Sequence, residues 1–364
     1  MTTEIRGIRV GDKVSRLPIV QGQMALRIGM DPLAGAVAAA GGIGLLSATG
    51  IMLRGQSNTE IVQRFQNARR LAGDGIVGMG IMFAVSEFDD LLDVAIQERA
   101  DLVCIGAGFM RDPFNRLAAA GIPGFAIISS VKLAGIVARV PSIAGVVVEC
   151  GQAGGHLGPP DVDVTIWELF PPIYRALREG GFQGPVIAAG GLRYGWEMRR
   201  IMEMGADGVQ LGTLFAMTTE SSAAPVVKEA WLRAKGTKVV RVSPVGMPGR
   251  VVAEQDLATL PRLAAPHQGC IDCLKHCPHR DDPTQKHCIH LSLRSSSLGR
   301  IKLGPQGEVY DGLVFAGGRV GEINDIVPAA VRIQRLMDEF YVEPPDVTTP
   351  DAPTRVLASA AQPT

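Results

Sequence analysis

The stretch Gly145–Pro159, GVVVECGQAGGHLGP, decides how the rest of the chain is read. Gly145–Cys150 is a short apolar run dense in valine, the pattern of a strand buried on both faces. Gly151, Gly154, Gly155 and Gly158 follow at once, with His156 among them. Glycines beside the end of a buried strand let the backbone turn sharply and approach a ligand closely. A histidine held there is suited to moving a proton, because its ordinary pKa lies near neutrality. A loop histidine bonded only to backbone is the competing reading, and this stretch by itself does not separate the two.

Outward from this strand, apolar runs and amphipathic segments alternate. Strands are expected at Leu17–Gln21, Ile43–Ser47, Ile76–Met82, Asp101–Ile105, Gly124–Ser129, Gly145–Cys150, Pro185–Ala189 and Gly208–Leu211. Helices fall between them. Two open on Asp-Pro pairs, Asp31-Pro32 and Asp112-Pro113, read as an N-cap followed by proline in the first turn. Eight strands in roughly 200 residues with intervening helices point to an α/β protein of the (β/α)8 TIM barrel type. In such a barrel the C-terminal strand ends carry the chemistry. Here those ends are rich in Gly, Ser, Gln and His.

The 364 residues carry 36 basic and 36 acidic side chains, and 46% are hydrophobic. A balanced charge argues against a nucleic-acid binder. Residues 1–20 contain no signal-peptide core. The uncharged stretch Pro32–Leu53 is broken by Gly41-Gly42, Ser47, Thr49 and Gly50, so it reads as a helix and a strand, not a membrane span. A cytoplasmic location is the expectation.

Domain boundaries are expected at 15–240 for the barrel and 241–320 for a cysteine-bearing segment at its mouth. A C-terminal helix at 321–341, about Glu322–Phe340 with Pro328 as an alternative start, and a disordered tail at 342–364 follow. Two of the six cysteines, Cys104 and Cys150, stand in strand-like runs and read as small buried hydrophobes. The others form Cys270-x2-Cys273-x3-Cys277-x10-Cys288. Four thiolates so closely spaced suit zinc or an iron–sulfur cluster. Pro278 directly after Cys277 matches many iron–sulfur loops, but the spacing leaves both metals open, and only a flavin barrel beside the cysteines moves iron–sulfur ahead. His267, His276, His279, His287 and His290 surround them in sequence.

Two further motifs, Ala188-Ala-Gly-Gly191 and Gly208-Val-Gln-Leu-Gly-Thr213, end the seventh and eighth strands. Bare backbone N–H groups there suit a phosphorylated cofactor. No GxGxxG opens the barrel, which favours FMN over a dinucleotide. Ser129, Ser130, Gln210 and the backbone near Met24 are candidates for its ring and ribityl chain.

At this point the sequence resembles the nitronate monooxygenase superfamily of FMN barrels. The marks are Pro18-Ile-Val-Gln-Gly-Gln-Met24, Ile128-Ser-Ser130, the Glu149–Gly158 loop, Ala188–Gly191 and Gln210–Thr213. Ser243-Pro-Val-Gly-Met-Pro-Gly-Arg250 and the four cysteines resemble a narrower branch, the acyl-ACP dehydrogenase/isomerases with FMN and a [4Fe–4S] cluster. That resemblance implies His156 as the catalytic residue. It implies Gln21, Gly22, Met24, Gly80, Ser129, Glu149, Gly155, Ala189, Gly190, Gly191, Gln210, Leu211, Gly212 and Thr213 at the flavin. Cys270, Cys273, Cys277 and Cys288 would bind the cluster. The partners implied are an acyl carrier protein bearing a medium-chain acyl group, and molecular oxygen; nucleic acid and membrane are not among them, and a homodimer is admitted. The product would be a cis-3 unsaturated acyl chain. Alternatives are a nitronate monooxygenase and an NAD(P)H-dependent enoyl-ACP reductase. Two departures from the superfamily pattern stand out. Gln23 replaces the second glycine of the usual QGGM opening, and Gly80 stands where relatives commonly carry Asn.

Overall fold

The computed structural model describes residues 4–51, 57–241, 247–262, 270–277, 280 and 288–343. The first half of the Ser243–Arg250 motif, Pro278, His267, His279, His287 and nearly all of the expected tail lie outside the described residues. Eight parallel strands close into a barrel: β1 (Ile19–Gln21), β2 (Ile43–Ser47), β3 (Ile76–Met82), β4 (Val103–Gly106), β5 (Gly124–Ile128), β6 (Ile143–Glu149), β7 (Val186–Ala189) and β8 (Gly208–Leu211). The ring closes where β8 pairs with β1, Val209 opposite Ile19 and Leu211 opposite Gln21. Helices α1 (Asp31–Ala39), α2 (Thr59–Ala72), α3 (Phe88–Gln97), α4 (Arg111–Ala119), α5 (Val131–Val137), α6 (Ile166–Glu179), α7 (Gly195–Glu203) and α8 (Thr213–Ala216) follow the strands in turn.

The valine-rich runs are explained by two separate cores. Val20, Ile43, Leu45, Leu102, Cys104, Phe125, Val147 and Ile187 fill the barrel interior. Their neighbours Ile19, Leu46, Val103, Val146, Val148 and Val209 face outward under the helices. Alternation along each strand therefore places apolar residues on both faces, and no polar face remains. Cys104 and Cys150 are both buried, as expected of small hydrophobes.

Local starts differ from the sequence expectation. Asp31 is inside the first turn of α1, with extended Met30 at the N-cap, and α4 begins at Arg111, one residue before Asp112. Asp31 instead accepts a hydrogen bond from Arg64 at 2.8 Å, while its charge still suits a helix N-terminus. The last helix begins at Ala329, not near Glu322. Pro328 holds the N-cap, and the residue before a proline is driven to extended backbone, where Val327 bridges Thr218.

Beyond the barrel, α9 (Pro225–Arg233) leads into a three-stranded antiparallel sheet. In it Gly249–Val252 pairs on one side with Thr237–Val240 and on the other with Gly155–His156. Helix α10 (Ile289–Ser297) and the hairpin Lys302–Leu303 with Val309–Tyr310 follow, before α11 (Ala329–Phe340). None of the helices among the described residues is long and apolar enough to cross a membrane.

Candidate active site

A cavity of about 520 Å³ opens at the C-terminal ends of the strands. Its wall gathers most of the residues singled out in the sequence: Gly22, Met24, Ser129, Ser130, Glu149 and Gly155 from the first, fifth and sixth strand ends, with His156 beside them. Ala189, Gly190, Gly191, Gln210, Leu211, Gly212 and Thr213 line it from the seventh and eighth.

Gln21 and Gly80 do not join them. The Gln21 side chain is fully buried and donates from Nε2 to the Leu45 carbonyl at 2.9 Å, tying β1 to β2. Gly80 is covered by Gln23, whose own side chain lines the cavity. A Cβ at Gly80 would lie 2.4 Å from the Gln23 Cβ, and one at Gly106 would lie 3.0 Å from the Gln23 Nε2. Glycines on two adjacent strands thus leave the slot that this side chain occupies.

His156 is not on a free loop. Gly155 turns the chain at φ +90°, a conformation that favours glycine, and places His156 opposite Gly249. Leu157 N then donates to the Pro248 carbonyl at 2.8 Å. Buried Arg250 braces the same region by donating to the carbonyls of Gly151 at 2.9 Å and Val162 at 2.8 Å. The imidazole meets the Phe315 ring edge-on, with centroids 5.3 Å apart. Burial of this ring lowers the His156 pKa to about 4, so the imidazole is neutral at pH 7. Burial acts in the opposite sense on Glu149 and raises its carboxyl to about 7. The cavity therefore holds a neutral base and a carboxyl poised to hold or release a proton.

The lining fits FMN on two grounds. The Gln210 and Gln23 Oε1 atoms are buried with no hydrogen-bond partner among the described residues, two acceptors waiting for donors. A Cβ at Gly212 would meet nothing within 4 Å, which leaves the backbone bare beside Thr213. The Thr213 Oγ1 accepts from Gly317 N at 2.8 Å. Arg319 donates to the Gly191 carbonyl at 3.1 Å and pairs with buried Glu197. Segment 317–322 thus secures both glycine loops.

The cysteine group is less complete. Cys273 lines the cavity wall beside Leu274, and its strand-like neighbours pack on the loop after β3, with Lys275 N donating to the Ala84 carbonyl at 3.0 Å. Burial pushes the Cys273 thiol to about 12, and Cys288, Cys277 and Cys270 add to the rise. The expected quartet is not assembled: among the described residues no three His, Cys, Asp or Glu side chains converge to hold a metal ion. Residues 278–279 and 281–287, most of the connection between Cys277 and Cys288, lie outside the described residues.

Sequence reasoning missed Phe315 and Arg319, because nothing in their local sequence marks them and only long-range closure brings them to the cavity wall. Arg250 stood in a quoted motif, but its bracing role was not read from it. His290 was noted for its closeness to the cysteines, yet its place is in the cavity wall.

The nitronate monooxygenase family profile matches residues 50–339. Among curated proteins the chain is 32% identical over 237 residues to a (3aS,4S,5R,7aS)-5-hydroxy-7a-methyl-1-oxo-octahydro-1H-indene-4-carboxyl-CoA dehydrogenase of Rhodococcus jostii, covering 65% of this chain and 62% of that protein. It is 34% identical over 175 residues to a nitronate monooxygenase of Pseudomonas aeruginosa, 47% of this chain and 48% of that one. The chain thus spans less than two thirds of the length of these relatives. Among solved structures, FabK from Thermotoga maritima superposes with a TM-score of 0.69 at 28% identity, over 90% of this chain and 93% of that one. A nitroalkane oxidase from Streptomyces ansochromogenes shares the fold, with a TM-score of 0.68 at 22% identity, over 90% of this chain and 96% of that one. The protein belongs to the nitronate monooxygenase family of flavin-dependent TIM-barrel oxidoreductases.

Proposed function

We propose that this protein is an FMN-dependent oxidoreductase acting on an acyl thioester, with His156 as the base that accepts a proton from the carbon beside the thioester carbonyl. The observation that carries this reading is His156 held neutral in the wall of an apolar cavity that is continuous with both glycine loops. FMN, when bound, supplies two-electron acceptance. The chain does the rest. Gln210, Gln23 and the backbone at Gly190–Gly191 and Gly212–Thr213 would hold the cofactor, while Arg250 and Phe315 fix the imidazole. Desolvation keeps the base unprotonated at neutral pH, and the apolar wall excludes water from the reacting carbon. The carboxyl-CoA dehydrogenase relative from Rhodococcus jostii supports this substrate class.

A nitronate substrate is the second reading, favoured by the family profile and by the Pseudomonas aeruginosa relative. The same flavin site would serve it with His156 beside the substrate, but a small nitronate leaves unused the apolar wall formed by Val227, Trp231, Leu293 and Leu313. The narrower expectation of a cis-3-forming acyl-ACP dehydrogenase/isomerase rests on sequence resemblance alone. Anaerobic protein mixed separately with octanoyl thioesters of CoA and acyl carrier protein, with propane-2-nitronate and with NAD(P)H distinguishes these readings by which reagent bleaches the flavin. Bleaching by the thioesters is expected. Bleaching by NAD(P)H or nitronate alone overturns the assignment.

The [4Fe–4S] proposal likewise stands on the cysteine spacing and has its own test. Freshly prepared anaerobic protein should contain iron and acid-labile sulfide, about four of each per chain when the site is full. Stoichiometric zinc, or neither metal nor sulfide, removes the cluster from the protein.

A further inference from the structure

The cavity extends past the barrel mouth into an arm between α9 and α10. Val227 and Trp231 come from the first helix, Leu293 from the second, and Leu313 from the strand-like segment beside them. The arm also contains polar side chains, and nearly all are spent on protein partners. The Trp231 Nε1 donates to the Phe315 carbonyl at 2.8 Å. The Ser296 Oγ donates to the Leu313 carbonyl at 2.8 Å, and the Ser297 Oγ to the Arg294 carbonyl at 3.1 Å.

His290 differs. It lines the same arm and is only 8% exposed, and its Nε2 is buried with no hydrogen-bond partner among the described residues. A buried polar atom without a partner is costly, and such atoms in native proteins usually meet a ligand or a water. We propose that this arm is an acyl-chain subsite with one polar recognition point, His290. The preferred substrate is then an apolar acyl group that carries an oxygen function, a hydroxyl or a keto group, remote from its reacting carbon.

The chemistry follows from the imidazole. One tautomer accepts a hydroxyl proton at Nε2, and the other donates an Nε2–H to a keto oxygen. Either contact satisfies an atom that a plain alkyl chain leaves unpaired. A site built around such an atom discriminates against the analogue that lacks the oxygen. This inference rests on the acyl-thioester reading and deepens it.

The test measures dissociation constants on the FMN-loaded protein for octanoyl-CoA and for its hydroxy and oxo derivatives, substituted at successive positions toward the ω end. Titration calorimetry and the shift of the flavin spectrum are the two readouts. At least one oxygen-bearing chain should bind roughly tenfold or more tightly than octanoyl-CoA. His290→Leu should erase that preference without weakening octanoyl-CoA, and His290→Gln, which keeps a donor and an acceptor, should retain part of it. Should His290→Leu fail to fold, the His290→Phe and His290→Gln variants carry the same comparison. Equal affinity across the wild-type series overturns the inference and leaves the thioester reading standing. A preference that survives in the apolar variant also overturns it. If no thioester binds at all, the underlying reading falls and this one falls with it.

Discussion

At the scale of single residues, burial drives His156 down to about 4 and Glu149 up to about 7. Their effects on stability oppose each other. Between about 6.5 and 4 the unfolded chain takes up a proton at His156 that the folded chain refuses, so stability falls as pH drops through that window. Between about 4.5 and 7 folded Glu149 holds a proton that the unfolded chain has released, so stability there falls as pH rises. Activity separates the two. Anaerobic flavin reduction should keep its base-dependent limb down to about pH 4, with a second inflection near 7 that disappears in Glu149→Gln. His156→Ala should slow the step by roughly 10²–10⁴-fold with FMN content unchanged. A single inflection at the ordinary histidine value of about 6.5 would contradict the desolvated, neutral imidazole. The Gln23 slot offers a second residue-scale test. Gly80→Asn collides with Gln23 and should lower FMN retention on gel filtration and thermal stability, at a cost of about 1–3 kcal/mol typical of overpacking. Adding Gln23→Gly should restore both. A Gly80→Asn variant that keeps its flavin and its melting temperature means that Gln23 swings aside freely. The sequence displayed these two departures as separate oddities; only contact in space makes them one exchange.

At the scale of elements, the small sheet of Gly155–His156, Gly249–Val252 and Thr237–Val240 turns a glycine-rich loop into a fixed mount for the base. Arg250 is its brace. Arg250→Lys keeps the charge and loses the forked geometry that reaches two carbonyls at once. The expected outcome is a melting temperature lowered by a few degrees and slower flavin reduction, with near-normal FMN content. An unchanged reduction rate would mean that His156 is positioned without the brace. The barrel strands were legible because burial on both faces leaves a continuous apolar run, as at Ile43–Ser47 and Ile76–Met82, where expectation and structure share both ends. The mount was not legible. Gly155–His156 is two residues long, and its partner lies almost a hundred positions further along, so no local periodicity announces the pairing. Helix α11 was legible in its apolar face; the expected span opened near Glu322, and Pro328, the alternative start, is the residue that caps it.

At the scale of the molecule, barrel and excursion share one cavity, and its wall draws on residues from Gly22 to Ile323. The fold class was readable from the count and spacing of strands; the site was readable at the strand ends, where glycine and polar residues mark it. What the excursion adds was not, because residues such as Phe315 and Arg319 act only after long-range closure. That closure has a consequence for how the protein is made. Thr213 waits for Gly317, Gly191 for Arg319, and Arg193 for the Glu322 carbonyl, 129 positions later. All eight strands leave the ribosome before the segment that secures the cofactor loops has been translated. Nascent chains arrested at residue 312, with the ribosome exit tunnel spanned by an added linker, should therefore retain no FMN, whereas chains extended in the same way beyond residue 343 should retain it. Flavin held by the shorter chains would mean that the loops are ready without their late partner. Otherwise cofactor capture is among the last events of biosynthesis, and a prematurely terminated chain stays free of a redox group able to react with oxygen.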